Sequence, residues 1–230
     1  MNKILALIPA RGGSKRILEK NIINFRGKPL ISYAIQTALE ASIFDEIYVS
    51  TDSEKIGEIA LQNGATEILA RPESISNDEA TIFDVVNYHA KKNHYFKECE
   101  FLCLIYATSP LLLAEDLTSA FNNLCENKLN SVVSCQTFSF PPLRSFHLNR
   151  DNHSIEYFFP EFKDTRSQDL PHLFHDSGDF LWVRFKEFLK QKKLLPKPNH
   201  PFMLPKYRGI DIDNEEDLEF ANFLYEFNKK

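Results

Sequence analysis

Apolar and polar positions follow two alternating rhythms along the chain. Residues 4–8 form an unbroken apolar run, Ile4-Leu5-Ala6-Leu7-Ile8, ending in Pro9-Ala10. Strand-length apolar runs recur at 46–52, 67–70, 101–106, 131–135 and 179–183. Between them, apolar residues return every three or four positions, which predicts helices over 30–41, 53–63, 81–92, 114–125 and 186–192. Pro29 stands near the first turn of the first helix, and Gly64 stops the second. The 101–106 run is almost wholly apolar, as a parallel strand covered on both faces requires. A last strand end is expected over 208–213. A closing helix follows over 214–230, with acids first and lysines last to suit the helix dipole.

This alternation predicts one α/β domain, residues 1–230, built on a doubly wound, mostly parallel sheet. The rhythm breaks at Phe138. Pro141, Pro142, Pro160, Pro171 and many aromatics mark an insertion over 138–175. Ligands of doubly wound sheets bind outside the carboxyl ends of the strands. Arg11, Asp52, Arg71 and Thr108 all fall at such ends, which makes them candidates as a group.

Composition narrows the chemistry. In 230 residues, 43% hydrophobic content suffices for one substantial core. A net charge of −5 argues against nucleic acid as a partner, so an anionic ligand must be met by local cations. No stretch approaches the ~20 apolar residues of a membrane span. The first apolar run is cut by Arg11 with no small-residue cleavage pattern after it, so neither a membrane partner nor a signal peptide is expected, and a cytoplasmic location is. Cys99, Cys103, Cys125 and Cys135 read as free thiols. On one strand Cys99 and Cys103 lie about 13 Å apart, too far for one zinc ion.

The local cations sit just after the first run. In Arg11-Gly12-Gly13-Ser14-Lys15-Arg16 a glycine pair lies between positive charges, and Lys20 and Asn21 follow. Low bulk lets backbone N–H groups approach an anion closely, so a phosphate site is favoured over a plain strand-to-helix turn. The spacing fits neither G-x-x-x-x-G-K-[ST] nor G-x-G-x-x-G. Near the other end, Asp211 and Asp213 are two apart. On a strand both face one way and reach one divalent cation, and magnesium takes one or two carboxylates besides phosphate oxygens and water. Asp213 with Glu216 equally resembles a capping box for the closing helix, and both readings stand. Asn77 or Asp78 is the expected N-cap of the helix at 81–92.

Pro9 to Lys15 with Ile17, Lys20 and Asn21 resembles the x-P-A-R-G-G-S-K-x-I-x-x-K-N signature of nucleotidyltransferases that activate sugars. The match is to the cytidylyltransferases acting on sialic acids, pseudaminic acid and related 2-keto sugar acids. Later segments extend the resemblance. Arg71-Pro72 followed by 77–81 is similar to the family's R-P…D-x-A-[TS] run, and Tyr106 to Leu111 to its Q-P-T-S-P-L. Here Tyr106 stands for the glutamine and Ala107 for the proline. A tyrosine stacks or donates, but presents no amide pair to cytosine. The Arg166-Ser167-Gln168-Asp169-Leu170-Pro171 and His175-Asp176-Ser177-Gly178-Asp179-Phe180 forms look like the pseudaminic acid branch. No Ser-His-Asp triad is expected of His175, Asp176 and Ser177, because adjacent residues lack that geometry.

The resemblance implies a nucleotide-diphospho-sugar transferase type of Rossmann-like fold. It also implies transfer of CMP from CTP to a nine-carbon 2-keto sugar acid, most closely pseudaminic acid. Ala10 to Lys15, Asn21, Arg71 and Tyr106 to Ser109 would bind the nucleotide. Arg11, Lys15, Lys20 and Asp211 would serve catalysis, and Asp211 and Asp213 would hold Mg²⁺. Arg166, Gln168, Asp169 and His175 would meet the sugar, with a structural role equally open for His175. The insertion would support a homodimer, and the product would feed bacterial glycan or flagellin modification. The alternatives are the same reaction on N-acetylneuraminic or legionaminic acid, a glycosyltransferase of related fold, and a non-catalytic nucleotide-binding protein. The only D-x-D is at 211–213, against a glycosyltransferase, which wants one after a mid-chain strand.

Overall fold

The computed structural model describes residues 3–228. In chain order the elements are β1 (Lys3–Pro9), β2 (Asn24–Phe25), β3 (Lys28–Pro29), α1 (Leu30–Ala41), β4 (Glu46–Thr51), α2 (Glu54–Gln62), β5 (Glu67–Ala70), α3 (Ile82–Lys92) and β6 (Cys99–Ile105). They continue with α4 (Ala114–Glu126), β7 (Ser131–Thr137), β8 (Phe146–Asn149), β9 (Ser154–Tyr157), β10 (Phe174–Arg184), α5 (Phe185–Gln191), β11 (Asn199–Met203) and α6 (Glu215–Asn228).

Seven strands form one sheet in the order β11-β7-β10-β6-β1-β4-β5. β4 and β6 flank β1 in parallel, as β5 does β4 and β11 does β7. β10 runs antiparallel to both β6 and β7. The sheet is therefore mixed and mostly parallel, as the alternation requires. The direction of β10 was not foreseeable, because the insertion before it reverses the chain without a crossover helix.

Two apolar clusters explain the unbroken strand runs. Ala6, Ile8, Cys103, Ile105 and Trp182 face α1, α2 and α4, while Leu5, Leu7, Leu102, Leu104 and Val183 face α3 and α5. Successive residues on one strand thus enter opposite layers, so neither position can be polar. Trp182 satisfies its indole N–H on Leu117 O of α4 at 3.1 Å. Each fully buried aliphatic side chain here contributes about 1.5–3 kcal/mol of transfer free energy. A smaller third cluster joins Ile17, Phe25 and Leu30 to Ile212 and Ala221, tying the first loop to the chain before α6.

Three expectations change. Residues 208–213 are turn and coil, and the last strand is β11, whose Asn-His-Pro-Phe-Met sequence carries no strand rhythm. The N-cap of α3 is Thr81, in a capping box with Asp84, and not Asn77 or Asp78. The cap of α6 is Asn214. Its Oδ1 accepts from Asp217 N, while Asp217 Oδ2 accepts from Asp213 N and Asn214 N, so the Asp213 side chain caps nothing. The lysines expected to close the last helix, Lys229 and Lys230, lie outside the described residues. The four cysteines are free. Among the described residues no helix is long and apolar enough to cross a membrane.

Candidate active site

The first loop is fixed by the backbone of its neighbours. Ala10 N–H donates to Ser50 O at 2.9 Å, which carries the pairing with β4 one residue past β1. Gly12 N–H donates to Asp52 Oδ1 at 2.7 Å, and a Cβ at Gly12 would lie 3.0 Å from Ser53 Cβ, a tight contact that favours glycine there. Asn21, itself buried, donates through Nδ2 to Arg11 O at 2.9 Å. Ser14 N–H turns back onto Gly12 O at 3.0 Å. The Gly12 and Ser14 amides of the loop expected to bind an anion are therefore engaged within the chain.

The four cations of this loop stand in two pairs, each about one carboxylate. Arg11 Nη1 and Lys15 Nζ lie 2.8 and 2.5 Å from the two oxygens of Asp78. Arg16 Nη2 and Lys20 Nζ lie 3.0 and 2.9 Å from the two oxygens of Asp213. Hydrogen bonds from Lys15 and then Arg11 hold the Asp78 carboxyl below the usual range. Exposed ion pairs of this kind exchange at little cost. Asp78 thus sits between the two cations and balances their charge.

These residues line two adjoining cavities at the carboxyl ends of β1 and β6. One, of about 280 Å³, is walled by Arg11, Lys20, Arg71, Tyr106, Thr108, Asp211 and Asp213. The other, of about 350 Å³, is walled by Ser14, Lys15, Arg16 and again Arg11, Lys20 and Asp213. A larger groove of about 410 Å³ lies between α2 and β5. Its wall sets Asp52, Glu54 and Glu58 against a single cation, Arg71, so an anion is repelled there.

Arg71 is buried at the end of β5, where Nη2 donates to Ile75 O at 2.5 Å and Nε has no partner. Burial lowers its affinity for the proton, opposed by Asp52 and reinforced by Arg11. Beneath it, buried His89 joins Ser50 Oγ and Asn93 Nδ2, each at 2.8 Å. The Asn93 amide nitrogen can only donate, so Nδ1 accepts and Nε2 carries the proton toward Ser50. Burial, then the nearby Arg71 charge, hold His89 down to about 4 and therefore neutral. Sequence reasoning missed His89; its one signal was a histidine on the apolar side of a helical pattern.

Asp211 and Asp213 face one cavity although neither is on a strand. Ile212 between them is fully buried in the third cluster, and the two flanking carboxylates line the cavity. Burial first, then the Asp213 charge, raise the Asp211 carboxyl, with Lys20 and Thr108 opposing. Thr108 Oγ1 stands 3.5 Å from Asp211 Oδ1. Burial alone would raise Asp213 too, but Lys20 and Arg16 outweigh it and hold it low. Two like charges sharing one cavity, one of them part-desolvated, form an oxygen donor set that a hard divalent cation relieves. Among the described residues no group of three or more His, Cys, Asp or Glu could hold a metal alone. The pair therefore suits magnesium, which takes its remaining ligands from phosphate and water.

Tyr106 lines the same cavity with its backbone N–H on Asp179 O at 2.9 Å. Burial, then Asp176 and Asp211, push its phenol up to about 12, so it stays a hydrogen-bond donor. Ala107 and Thr108 also line the cavity. Ser109 is turned into the fold, toward Gly178 O and Asp179 O at 3.2 and 3.4 Å. Ala10, Gly12 and Gly13 support the loop without lining either cavity. Arg166, Gln168 and Asp169 are exposed on the insertion, and His175 is exposed on β10 against the Phe138 ring. None of these four reaches the cavities within one chain.

The family model described as Cytidylyltransferase matches residues 5–227. The chain is similar to the pseudaminic acid cytidylyltransferase of Campylobacter jejuni, at 38% identity over 98% of this chain and 97% of that one. It is also similar to the N-acylneuraminate cytidylyltransferase of Streptococcus agalactiae, at 30% identity over 94% of this chain and 52% of that one. Among solved structures, the CMP:2-keto-3-deoxy-manno-octonic acid synthetase complexed with CTP shares the fold. The TM-score is 0.69 at 17% identity, covering 98% of this chain and 99% of that one.

Proposed function

The chain belongs to the cytidylyltransferase family, and from that premise we propose that it moves CMP from CTP onto pseudaminic acid, a nine-carbon 2-keto sugar acid, releasing pyrophosphate. The observation that carries this is the convergence of Arg11, Lys15, Arg16, Lys20 and Arg71 with Asp211 and Asp213 on two adjoining cavities. Five cations there suit a triphosphate, although the whole chain is acidic.

The sugar's anomeric hydroxyl attacks the α-phosphorus in line, so orientation and charge neutralisation supply most of the rate. Arg11 and Lys15 leave Asp78 and take the β- and γ-phosphates, with Ser14 beside them. Lys20 meets charge developing on the α-phosphate. Arg71, anchored by Ile75 O, keeps one guanidinium position at the wall of the nucleotide cavity. Asp211 and Asp213 would hold Mg²⁺, which would supply Lewis-acid stabilisation of phosphate oxygens. Tyr106 donates through a hydroxyl that stays protonated.

The sugar side requires a second copy. In the β8–β9 hairpin Phe146 pairs with Tyr157, and Leu148 with Ile155. Phe146, Leu148 and Ile155 are exposed. A two-stranded hairpin with an uncovered apolar face is marginal alone. A homodimer covering it would bring Arg166, Gln168 and Asp169 toward the partner's cavity.

The deciding experiment measures pyrophosphate release from CTP and Mg²⁺ with pseudaminic, legionaminic and N-acetylneuraminic acids in parallel. Release with pseudaminic acid alone is expected. Release with another acid keeps the chemistry and replaces the substrate. No release while CTP still binds overturns the transferase reading in favour of a nucleotide-binding role.

A further inference from the structure

The chain that carries Asp211 has no regular secondary structure between Met203 and Glu215. Irregular backbone holds its course only through the groups packed around it. Three buried polar side chains, on three different elements, pack against this stretch, and two of them bond to it. Arg208 Nη1 lies 2.5 Å from Asp116 Oδ2 on α4, their side chains 17% and 5% exposed. Gln136 Nε2 on β7 donates to Pro205 O at 2.9 Å. Asp179 on β10 is fully buried, and neither of its carboxyl oxygens has a hydrogen-bond partner.

Gly209 passes between the last two without clearance. A Cβ there would lie 2.5 Å from Gln136 Nε2 and 3.1 Å from Asp179 Oδ2. Two residues later the chain reaches Asp211, whose side chain abuts Gly178 next to Asp179. A buried ion pair such as Asp116–Arg208 is seldom a net source of stability compared with apolar residues of similar volume. Its geometric effect is specific, because it fixes Arg208 within three residues of Asp211.

We propose that Asp116, Gln136 and Asp179 are positioning residues of the transfer site, a buried polar clamp that sets the course of residues 205–211 and so aims Asp211 at the divalent cation. The proposal rests on Asp211 being a metal ligand. Burial pushes the Asp179 carboxyl up to about 8, eased by Ser177 and reinforced by Asp116, Asp176 and Asp211. At neutral pH it therefore fills its place as an uncharged acid, adding no charge against Asp211.

The test is Mn²⁺ binding in the presence of CTP, followed by electron paramagnetic resonance, with CTP binding measured separately in EDTA. Wild type is compared with Asp211→Asn, Gly209→Ala, Arg208→Met and Arg208→Lys. The clamp predicts at least tenfold weaker Mn²⁺ binding in Gly209→Ala and Arg208→Met, with metal-free CTP affinity within about twofold of wild type. Arg208→Lys keeps the pair with Asp116 and should restore Mn²⁺ affinity to within about threefold. If Gly209→Ala and Arg208→Met melt lower than wild type yet bind Mn²⁺ as wild type does, the clamp is structural only and the proposal is overturned. If Asp211→Asn binds Mn²⁺ as wild type does, the metal reading falls and takes the proposal with it, a failure distinct from that of the clamp.

Discussion

Lys20 Nζ lies 2.9 Å from Asp213 Oδ1, joining the first loop to a carboxylate 193 residues further along the chain. Lys20 is the less exposed of the two cations on Asp213; its side chain is 18% exposed against 66% for Arg16. It is the cation best placed to act on charge within the cavity, because desolvation strengthens its field.

Replacing Lys20 with methionine keeps the stem and removes that charge. Turnover should fall by roughly 100-fold or more, the usual cost of losing one charge-stabilising donor. CTP affinity should change by less than about fivefold, since Arg11, Lys15 and Arg71 remain. Steady-state pyrophosphate release beside calorimetric CTP titration checks both. A turnover loss below tenfold would remove Lys20 from the chemical step.

Asp78 holds Arg11 and Lys15 where a phosphate should go. The Asp78→Asn variant no longer competes with the incoming anion. Pyrophosphate should bind roughly two- to fivefold tighter, in line with the modest strength of exposed ion pairs. Weaker binding in a calorimetric titration would show that Asp78 assists the ligand and does not compete with it.

Gly12→Ala forces a Cβ to within 3.0 Å of Ser53 Cβ, at the cap of α2. The loop must shift away and lengthen the bond from Gly12 N–H to Asp52. A loss of about 1–3 kcal/mol of stability is expected from overpacking. CTP affinity should drop with it, which thermal melts with and without CTP will separate.

His89 makes folding acid-sensitive. An unfolded histidine takes its proton near pH 6.5. The folded one resists until about 4, because burial and then Arg71 oppose the charge. The unfolded chain therefore binds more protons between these values, and stability is full above pH 6.5 and falls as pH drops toward 4. The amount is of order 3 kcal/mol. In His89→Gln, urea-denaturation midpoints should lose this acid-side slope while the wild type keeps it.

Leu148 and Ile155 face one another across the β8–β9 hairpin, 61% and 68% exposed. If the proposed homodimer forms, the Ile155→Glu variant should be monomeric by light scattering where wild type is dimeric. CTP should bind to it as to wild type, while the KM for the sugar acid rises. A wild-type monomer at micromolar concentration would reject the dimer.

The glycine-rich cationic loop was legible in the sequence because it is local. A buried run, a glycine pair and three cations in six residues bring low bulk and positive charge together within one short segment, although contacts with Ser50, Asp52 and Asn21 fix its conformation. The strand ends that carry Arg11, Asp52, Arg71 and Thr108 were legible for the same reason, since two-sided burial leaves no polar position inside a strand. The tightly packed β1 and β6 runs sit where the apolar pattern puts them.

Asp213 was not legible. Its spacing to Glu216 fitted a cap as well as a metal ligand, and only the fold excluded the cap, because Asn214 and Asp217 cap α6 and leave its carboxylate to Lys20 and Arg16. The pairing of Asp78 with Arg11 and Lys15 was hidden in the same way, since Thr81 took the cap expected of its neighbourhood.

By itself the sequence determined the layers, the loop and the residue types of the site, all of which follow from short-range pattern and bulk. The tertiary structure alone decided the antiparallel course of β10, the coil that bears Asp211, and which carboxylate answers which cation. These depend on contacts between residues far apart in the chain, and no local pattern encodes a contact whose closure is set by the packing of the whole core.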